Sequence, residues 1–266
     1  MMKEVAVVVV YNPSHSLLAL ANILLASSCD VYFVNNGNPS NIYWKELASK
    51  SAINTVQLDT NRGTAGAVNY VLLTLDGDIA FLFDQDSMPG ADYFSAMRAL
   101  LPFKSNVGLI GANYGQVKRV RKISNALTII LSGSVVNVKV FKQLNGFNES
   151  YFLDLVDFEF VLRLKREGYK SWLCHHAVLN HQLGQMDSST HSIFTSTHHS
   201  ADRRFDIAKN TIRIVKDYFW VAPWWCIKKL ILLVLSWILI ILFEGDKLNK
   251  LKRSLAGTYV GIFKIK

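Results

Sequence analysis

Cysteine is scarce and poorly spaced for bonding. Cys29, Cys174 and Cys226 are the only three, with no CxxC pair among them, so neither a disulfide framework nor a cysteine metal site is indicated and a reducing, cytosolic setting fits best. The glycine patterns of two large nucleotide-binding classes are also missing. Neither GxGxxG nor the phosphate-loop pattern with its lysine occurs, which argues against dinucleotide oxidoreductases and P-loop enzymes. Six of the seven histidines lie between His175 and His199, but without HExxH or another compact ligand spacing, and a dedicated zinc site is not expected there. The apolar run Val5 to Val10 is short and leads into Tyr11-Asn12-Pro13 instead of a small-residue cleavage site, so no secretory signal is expected. Carboxylates are the minority charge. The balance of 29 Lys+Arg against 20 Asp+Glu gives +9, which suits a polyanionic partner such as a nucleotide, a nucleic acid or an anionic membrane surface.

What is present is apolar sequence in short, regularly spaced runs. With 266 residues, 50% of them hydrophobic, the chain can form one large domain or a domain plus an appendage, and some apolar surface is expected to remain outside the core. Val5 to Val10, Val31 to Val34, Thr55 to Leu58 and Ile79 to Phe83 read as strands. Between them lie helical stretches, the first starting near Ser14 or Ser16 and running through Leu17, Leu20, Ala21 and Leu24. This alternation predicts an α/β fold with a mostly parallel sheet, helices on both faces, and carboxyl-end loops gathered on one side.

Those loops hold Tyr11-Asn12, Asn35-Asn36, Asn61-Arg62-Gly63 and Asp84-Gln85-Asp86. Asp84 and Asp86 leave the end of a buried strand at i, i+2 spacing, where two carboxylates can converge on one Mg²⁺ or Mn²⁺ together with substrate phosphates. The same tetrapeptide, Asp84 to Ser87, is also compatible with an Asx-turn carrying solvated acids. Gly63, Ala65 and Gly66 permit close approach of a ligand at a helix start, with Arg62 available to a diphosphate, or they form a tight, closely packed strand-to-helix turn. A second acidic cluster, Asp154 to Glu159, precedes an apolar helical pattern through Phe160, Val161 and Leu164. Asp157 is there either a general base or a helix N-cap, with Glu159 complementing the helix dipole.

The order and spacing of these motifs resemble glycosyltransferase family 2, most closely its bacterial rhamnosyltransferase branch, over most of residues 5 to 215. The resemblance rests on Val9-Val10-Tyr11-Asn12-Pro13, the loop Asn61 to Ala67, Asp84-Gln85-Asp86-Ser87, Ser132-Gly133-Ser134, Phe152 to Glu159, His181-Gln182-Leu183-Gly184 and Arg204 to Asn210. It implies a GT-A fold, Rossmann-like, with a nucleotide-sugar half at about residues 1–90 and an acceptor half at about 91–215; the remaining residues, 216–266, are read from their own composition as a helical membrane-associating segment. It also implies inverting transfer from a nucleotide sugar, dTDP-L-rhamnose as first choice, to a polyprenyl-diphosphate-linked glycan at the cytoplasmic face of the bacterial inner membrane. By the same resemblance Asp157 is the base and Asp86 the metal-binding member of the DXD-type motif, with Asp84 on the ribose or the metal and His181 near the diphosphate or metal. Tyr11, Asn12, Asn35, Asn61, Arg62, Gly63, Asp84 and Gln85 are expected on the nucleotide sugar, and Ser132, Gly133, Asp154, Glu159 and Arg204 on the acceptor or donor-sugar side. Two positions depart from the family pattern: Asn35 stands where Asp is usual, and Lys209-Asn210 where Arg-Asn is usual, which exchanges a bidentate guanidinium for a point charge. The alternatives are a transferase for another nucleotide sugar, UDP-linked for example, and a catalytically inactive nucleotide-sugar-binding membrane scaffold.

Leu230 to Phe243 is apolar apart from Ser236. A helix over those residues would be about 21 Å long, short of the roughly 30 Å hydrocarbon core. An interfacial anchor is therefore expected, with Trp224-Trp225 and Lys228-Lys229 at its start and Lys247, Lys250, Lys252, Arg253, Lys264 and Lys266 beyond. A core helix and a full span over 218–243 are the other readings. Because these basic residues flank an apolar helix instead of interleaving with exposed aromatics on a sheet, no nucleic-acid partner is expected.

Overall fold

The computed structural model describes residues 2–102, 106–115, 122–152, 154–181 and 199–263, with main chain only at 181. Its contacts divide the chain into two compact units, Met1–Gln182 and Leu183–Lys266. This places the helix that carries Arg204 in the second unit, so the division falls about thirty residues before the position near 215 expected from sequence.

In the first unit the expected strands and helices alternate: β1 (Glu4–Val10), α1 (Ser16–Leu25), β2 (Asp30–Asn35), α2 (Ile42–Ala48), β3 (Asn54–Gln57), α3 (Gly63–Leu72) and β4 (Ile79–Asp84). There follow β5 (Ser87–Pro89), α4 (Tyr93–Arg98), β6 (Val107–Asn113), β7 (Ile123–Asn125), β8 (Ser134–Asn137), α5 (Val138–Gln143), a 3-10 turn at Glu149–Tyr151, α6 (Val156–Arg166) and β9 (Lys170–His181). The described strands form one sheet in the order β3-β2-β1-β4-β8-β6-β9-β5, with β7 also on β9.

β1, β2, β3 and β4 pair in parallel. Their central members are covered on both faces, which is why they are continuous runs of apolar residues without alternation: Ala6, Val7, Val8, Phe81 and Leu82 are all at most 1% exposed. Beyond β4 the sheet becomes mixed. β8 lies antiparallel to both β4 and β6, and β5 and β7 lie antiparallel to β9. The turn that admits β8 begins at Gly133, whose φ of +67° is a glycine conformation. Its N–H donates to Leu82 O at 2.7 Å, and a Cβ there would run into Leu179. Tyr93, fully buried against Phe81 and Phe83, donates its hydroxyl to Gly133 O at 2.8 Å and fixes the same turn from below.

The second unit contains α7 (Ala201–Tyr218), α8 (Pro223–Phe243) and α9 (Lys247–Phe263). α8 starts seven residues before the expected Leu230, because Pro223 at its first position begins the helix and carries Trp224 to Lys229 into it. At 1.5 Å per residue its 21 residues span about 31 Å, so the length argument against crossing a bilayer does not hold. It is long and apolar enough to cross a membrane by length and composition.

Candidate active site

The carboxyl ends of the parallel strands form one side of a cavity of about 500 Å³, and the segment entering α6 forms another. Val9 is registered against Asp84 across the β1–β4 pair, so Tyr11 comes beside the turn that follows β4. Gln85 closes that junction: its Oε1 accepts from the Tyr11 N–H and its Nε2 donates to Tyr11 O, both at 2.8 Å. Tyr11, Asp84, Gln85 and Asp86 line the cavity from this side, and Asp154 and Asp157 line it from the other. Carboxylates from two distant stretches of chain therefore face one space.

Ser132 holds the acidic turn in place. Its hydroxyl accepts from the Asp84 N–H at 3.0 Å and bonds the buried Ser87 hydroxyl, while its carbonyl accepts from Tyr114. Burial raises the Tyr114 phenol well above its ordinary value, and the charges of Asp84, Asp157 and Asp86 push it further in the same direction. Tyr114 therefore stays a neutral hydrogen-bond donor beside the carboxylates. Nothing in the local sequence around Tyr114 announced this role.

On the opposite wall, Asp157 lies in the first turn of α6, but Leu155 holds the N-cap position in a left-handed conformation. Asp157 is thus not the cap; one of its oxygens accepts its neighbour's N–H, Phe158, at 2.8 Å. Phe152 and Leu155, both non-glycine, have φ of +57° and +69°. Such conformations cost about 1–3 kcal/mol each and persist where surrounding contacts impose them. Here the Phe152 carbonyl sits where a Cβ of Gly63 would be, so glycine at 63 lets this loop close over the start of α3.

Several expected site residues have other work. Asn35 is fully buried, donating to Gln57 Oε1 at 2.8 Å and accepting from the Gly37 N–H at 2.9 Å. It shapes the β2 loop, and an Asp could not make the donation to Gln57. Asn36 clasps the Arg62 N–H and Gly63 O, and Asn61 accepts from the Gly63 N–H at 2.9 Å. Arg62 is ion-paired with Glu149 at 3.0 Å, with both side chains partly exposed. Asn12, with φ of +50°, is exposed outside the cavity lining. Gly133 is a turn residue beneath Leu179. Glu159 is buried and paired with Arg163 at 3.0 Å, facing α6 itself and not the cavity. Arg204 is buried in the second unit against Glu244. For His181 the main chain alone is described: it pairs with Ser87 across β5 and β9, one residue from Asp86. Leu153 and residues 182–198, with much of the histidine-rich stretch, lie outside the described residues.

Among the described residues no group of three or more His, Cys, Asp or Glu side chains is placed to hold a metal ion by itself. Asp84 and Asp86 nevertheless fit a hard divalent cation in their donor chemistry, because Mg²⁺ and Mn²⁺ commonly take one or two carboxylates and complete their oxygen shell from substrate phosphates and water.

The fold is that of the GT-A glycosyltransferases. The chain covers 100% of itself and 88% of the mannosyltransferase PcManGT from Pyrobaculum calidifontis in complex with GDP-Man and Mn²⁺, at TM-score 0.61 and 15% identity. It covers 98% of itself and 82% of S. aureus TarS 1–349 in complex with UDP-GlcNAc, at TM-score 0.61 and 12% identity. GalNAc-T7 with UDP, GalNAc and Mn²⁺ aligns at TM-score 0.62 and 10% identity, over 97% of this chain and 55% of that one. In sequence, the chain is similar to the dTDP-rhamnosyl transferase RfbF of Shigella flexneri, 23% identical over 97% of this chain and 94% of that protein. No family model matches the sequence. The relative and the fold together support a glycosyltransferase resembling the bacterial enzymes of family 2.

Proposed function

We propose that this chain is an inverting, metal-dependent glycosyltransferase that moves a deoxysugar, L-rhamnose from dTDP-L-rhamnose, to a polyprenyl-diphosphate-linked glycan in surface-polysaccharide assembly of the O-antigen type. The observation that carries the reading is the shared cavity, with Asp84 and Asp86 on one wall and Asp154 and Asp157 on the other. The near full-length similarity to a protein named as a dTDP-rhamnosyl transferase supports the donor.

In this reading Asp157 takes the proton from the acceptor hydroxyl as that oxygen attacks the anomeric carbon. The new C–O bond forms as the bond to the diphosphate breaks, and the nucleoside diphosphate leaves with the electron pair. A divalent cation, when bound by Asp84 and Asp86, supplies positive charge against the departing diphosphate. Tyr11 offers its exposed ring beside the donor, and Gln85 fixes its backbone. Asp154 faces the same space from the acceptor side, and His181 approaches Asp86 along the β5–β9 pair. Action on a lipid-linked acceptor places the protein at the cytoplasmic face of the bacterial inner membrane, which the exposed apolar side of α8 supports.

A second donor class is favoured by one observation: Asn35, expected on the base, is fully buried and bonded to Gln57 and Gly37. Base selection then falls to other groups, and a UDP-linked sugar is the alternative. Asp157→Asn separates enzyme from scaffold. Turnover should fall by about 10²–10⁴-fold, the range for loss of a general base, while donor affinity is kept. Unchanged product formation in this variant would remove Asp157 from the chemistry.

A further inference from the structure

α8 has two unlike sides. Cys226, Leu233 and Ile240, seven residues apart, are its buried residues, and by helical geometry they form one stripe. Trp224, and then Ile231, Leu235, Ile238 and Leu242 at three- and four-residue steps, lie around the opposite side and are 44–81% exposed. The polar atoms midway along the helix are already satisfied. Ser236 donates to Leu233 O at 2.7 Å, and the Trp237 indole N–H donates to Ser254 on α9 at 2.8 Å.

The buried stripe rests on α7 and α9, which run side by side in the same direction. Arg253 pairs with Asp202 at 2.7 Å, Gly257 lies against the Phe205 carbonyl, and Lys216 donates to Ile262 O at 2.9 Å. α8 runs back along this pair and packs on both helices. Its end is tied to each by Glu244, buried between Arg204 of α7 and Lys250 of α9. α7 carries Asp202, Arg203, Arg204, Asp206, Lys209, Arg213, Lys216 and Asp217 along its length. A bilayer crossed by α8 would have to take these charges into hydrocarbon as well, at a cost that excludes it while the three helices stay packed.

We infer that α8 does not cross the membrane: it lies in the plane of one leaflet, its bare apolar side among the acyl chains and α7 and α9 above it in the headgroup layer and water. This deepens the membrane placement proposed above and rests on it. Charge selects anionic lipid as the occupant of this face. Lys228 is exposed within the apolar side, and Lys247 and Lys252 are exposed beyond Asp246. Trp220, 91% exposed in the turn before α8, and Trp224, 81% exposed in its first turn, suit the interface between headgroups and hydrocarbon.

The test uses the full chain added to preformed vesicles of phosphatidylethanolamine and phosphatidylglycerol, with phosphatidylcholine vesicles for comparison. Flotation measures binding. Single cysteines at Ile231, Leu235 and Leu242, in a background lacking the three native cysteines, carry a fluorophore whose quenching by lipids brominated at known positions reports depth. A cysteine at Leu248 tests reaction with a membrane-impermeant thiol reagent added outside. The in-plane arrangement predicts binding to the anionic vesicles, one shallow depth for all three labels, and full reaction of the cysteine at 248. The paired variant Ile231→Glu with Leu235→Glu, both on the exposed side of α8, should lower vesicle binding at least about tenfold while the circular dichroism stays unchanged. Depths graded along α8 with protection at 248 would overturn the in-plane inference and keep the membrane reading. Absence of binding to either vesicle type would overturn both. Self-association in lipid-free solution that the same paired variant abolishes, without vesicle binding, would make a second copy the occupant instead.

Discussion

Gln85 binds Tyr11 through both ends of its side-chain amide, accepting from the Tyr11 N–H and donating to its carbonyl, each at 2.8 Å. The amide extends the β1–β4 pairing beyond the last residues of the two strands, and so fixes a ring at the cavity mouth to the turn that carries the acids. The same device recurs nearby. Asn36 clasps Arg62 and Gly63, and Asn69 clasps both backbone groups of Phe147 at 2.7 and 2.8 Å. Three side-chain amides thus hold loops of the first unit by their backbone groups.

Gln85→Ala should free the Tyr11 backbone. Each neutral hydrogen bond contributes about 1 kcal/mol, so the partly exposed pair is expected to cost at most about 2 kcal/mol of loop order. The readout is a rise of about tenfold in the KM for the nucleotide sugar, with kcat changed much less. Equal loss in kcat and kcat/KM would mean that Gln85 acts in the transition state.

Ser132→Ala removes the acceptor for the Asp84 N–H and the partner of the buried Ser87 hydroxyl. Leaving buried polar groups unpaired costs roughly 1–3 kcal/mol, so the Tm should fall by several degrees. Because Asp84 loses its anchor, activation by Mg²⁺ or Mn²⁺ should need a higher concentration of the ion. Ser132→Thr, which keeps the hydroxyl, should recover most of the ion affinity.

Tyr114 gives a pH dependence with a definite sign. Its phenol ionises higher in the folded protein than the ordinary value near 10, so the folded state favours the protonated form. Its contribution to stability is therefore complete below about pH 10 and is lost as the pH rises above it. Tyr93, buried and raised in the same direction, adds to the effect. Thermal unfolding between pH 8 and 11.5 should show Tm falling less steeply in Tyr114→Phe than in the parent chain. An identical slope would show that Tyr114 ionises freely in the folded state.

Glu244→Ala leaves Arg204 and Lys250 without their shared carboxylate. Breaking a buried ion pair from one side costs about 3–5 kcal/mol, so the second unit should unfold early. The triple replacement Arg204→Met with Glu244→Leu and Lys250→Met, which removes all three charges, should restore most of that loss, as measured by thermal unfolding followed through hydrogen exchange of α7 and α9.

The first half of the fold was legible because its signals are local. A strand buried on both faces is a run of apolar residues, and β1 and β4 show this within six or seven positions. The two acidic clusters were legible for the same reason, and they do face one cavity. Distant partners were not. Asn35 and Arg62 read as ligand contacts, and nothing local to either shows that folding brings Gln57 to one and Glu149 to the other. Arg204 reads as a site residue, and the carboxylate that pairs with it, Glu244, lies far along the chain, whereas Glu159 pairs one helical turn on with Arg163. The antiparallel entry of β8 depends on one glycine turn at 133, and the early start of α8 on Pro223 overriding the lysines that seemed to flank the apolar run.

The most direct test of the central claim is nucleoside diphosphate release by the purified full chain with a lipid-linked glycan acceptor. It would be offered dTDP-L-rhamnose alongside UDP- and GDP-linked sugars, with and without Mg²⁺ or Mn²⁺. The account predicts release that requires both acceptor and divalent ion, is fastest with dTDP-L-rhamnose, and disappears in Asp157→Asn. Donor binding without release from any sugar, in the presence of a verified acceptor and metal, would contradict it.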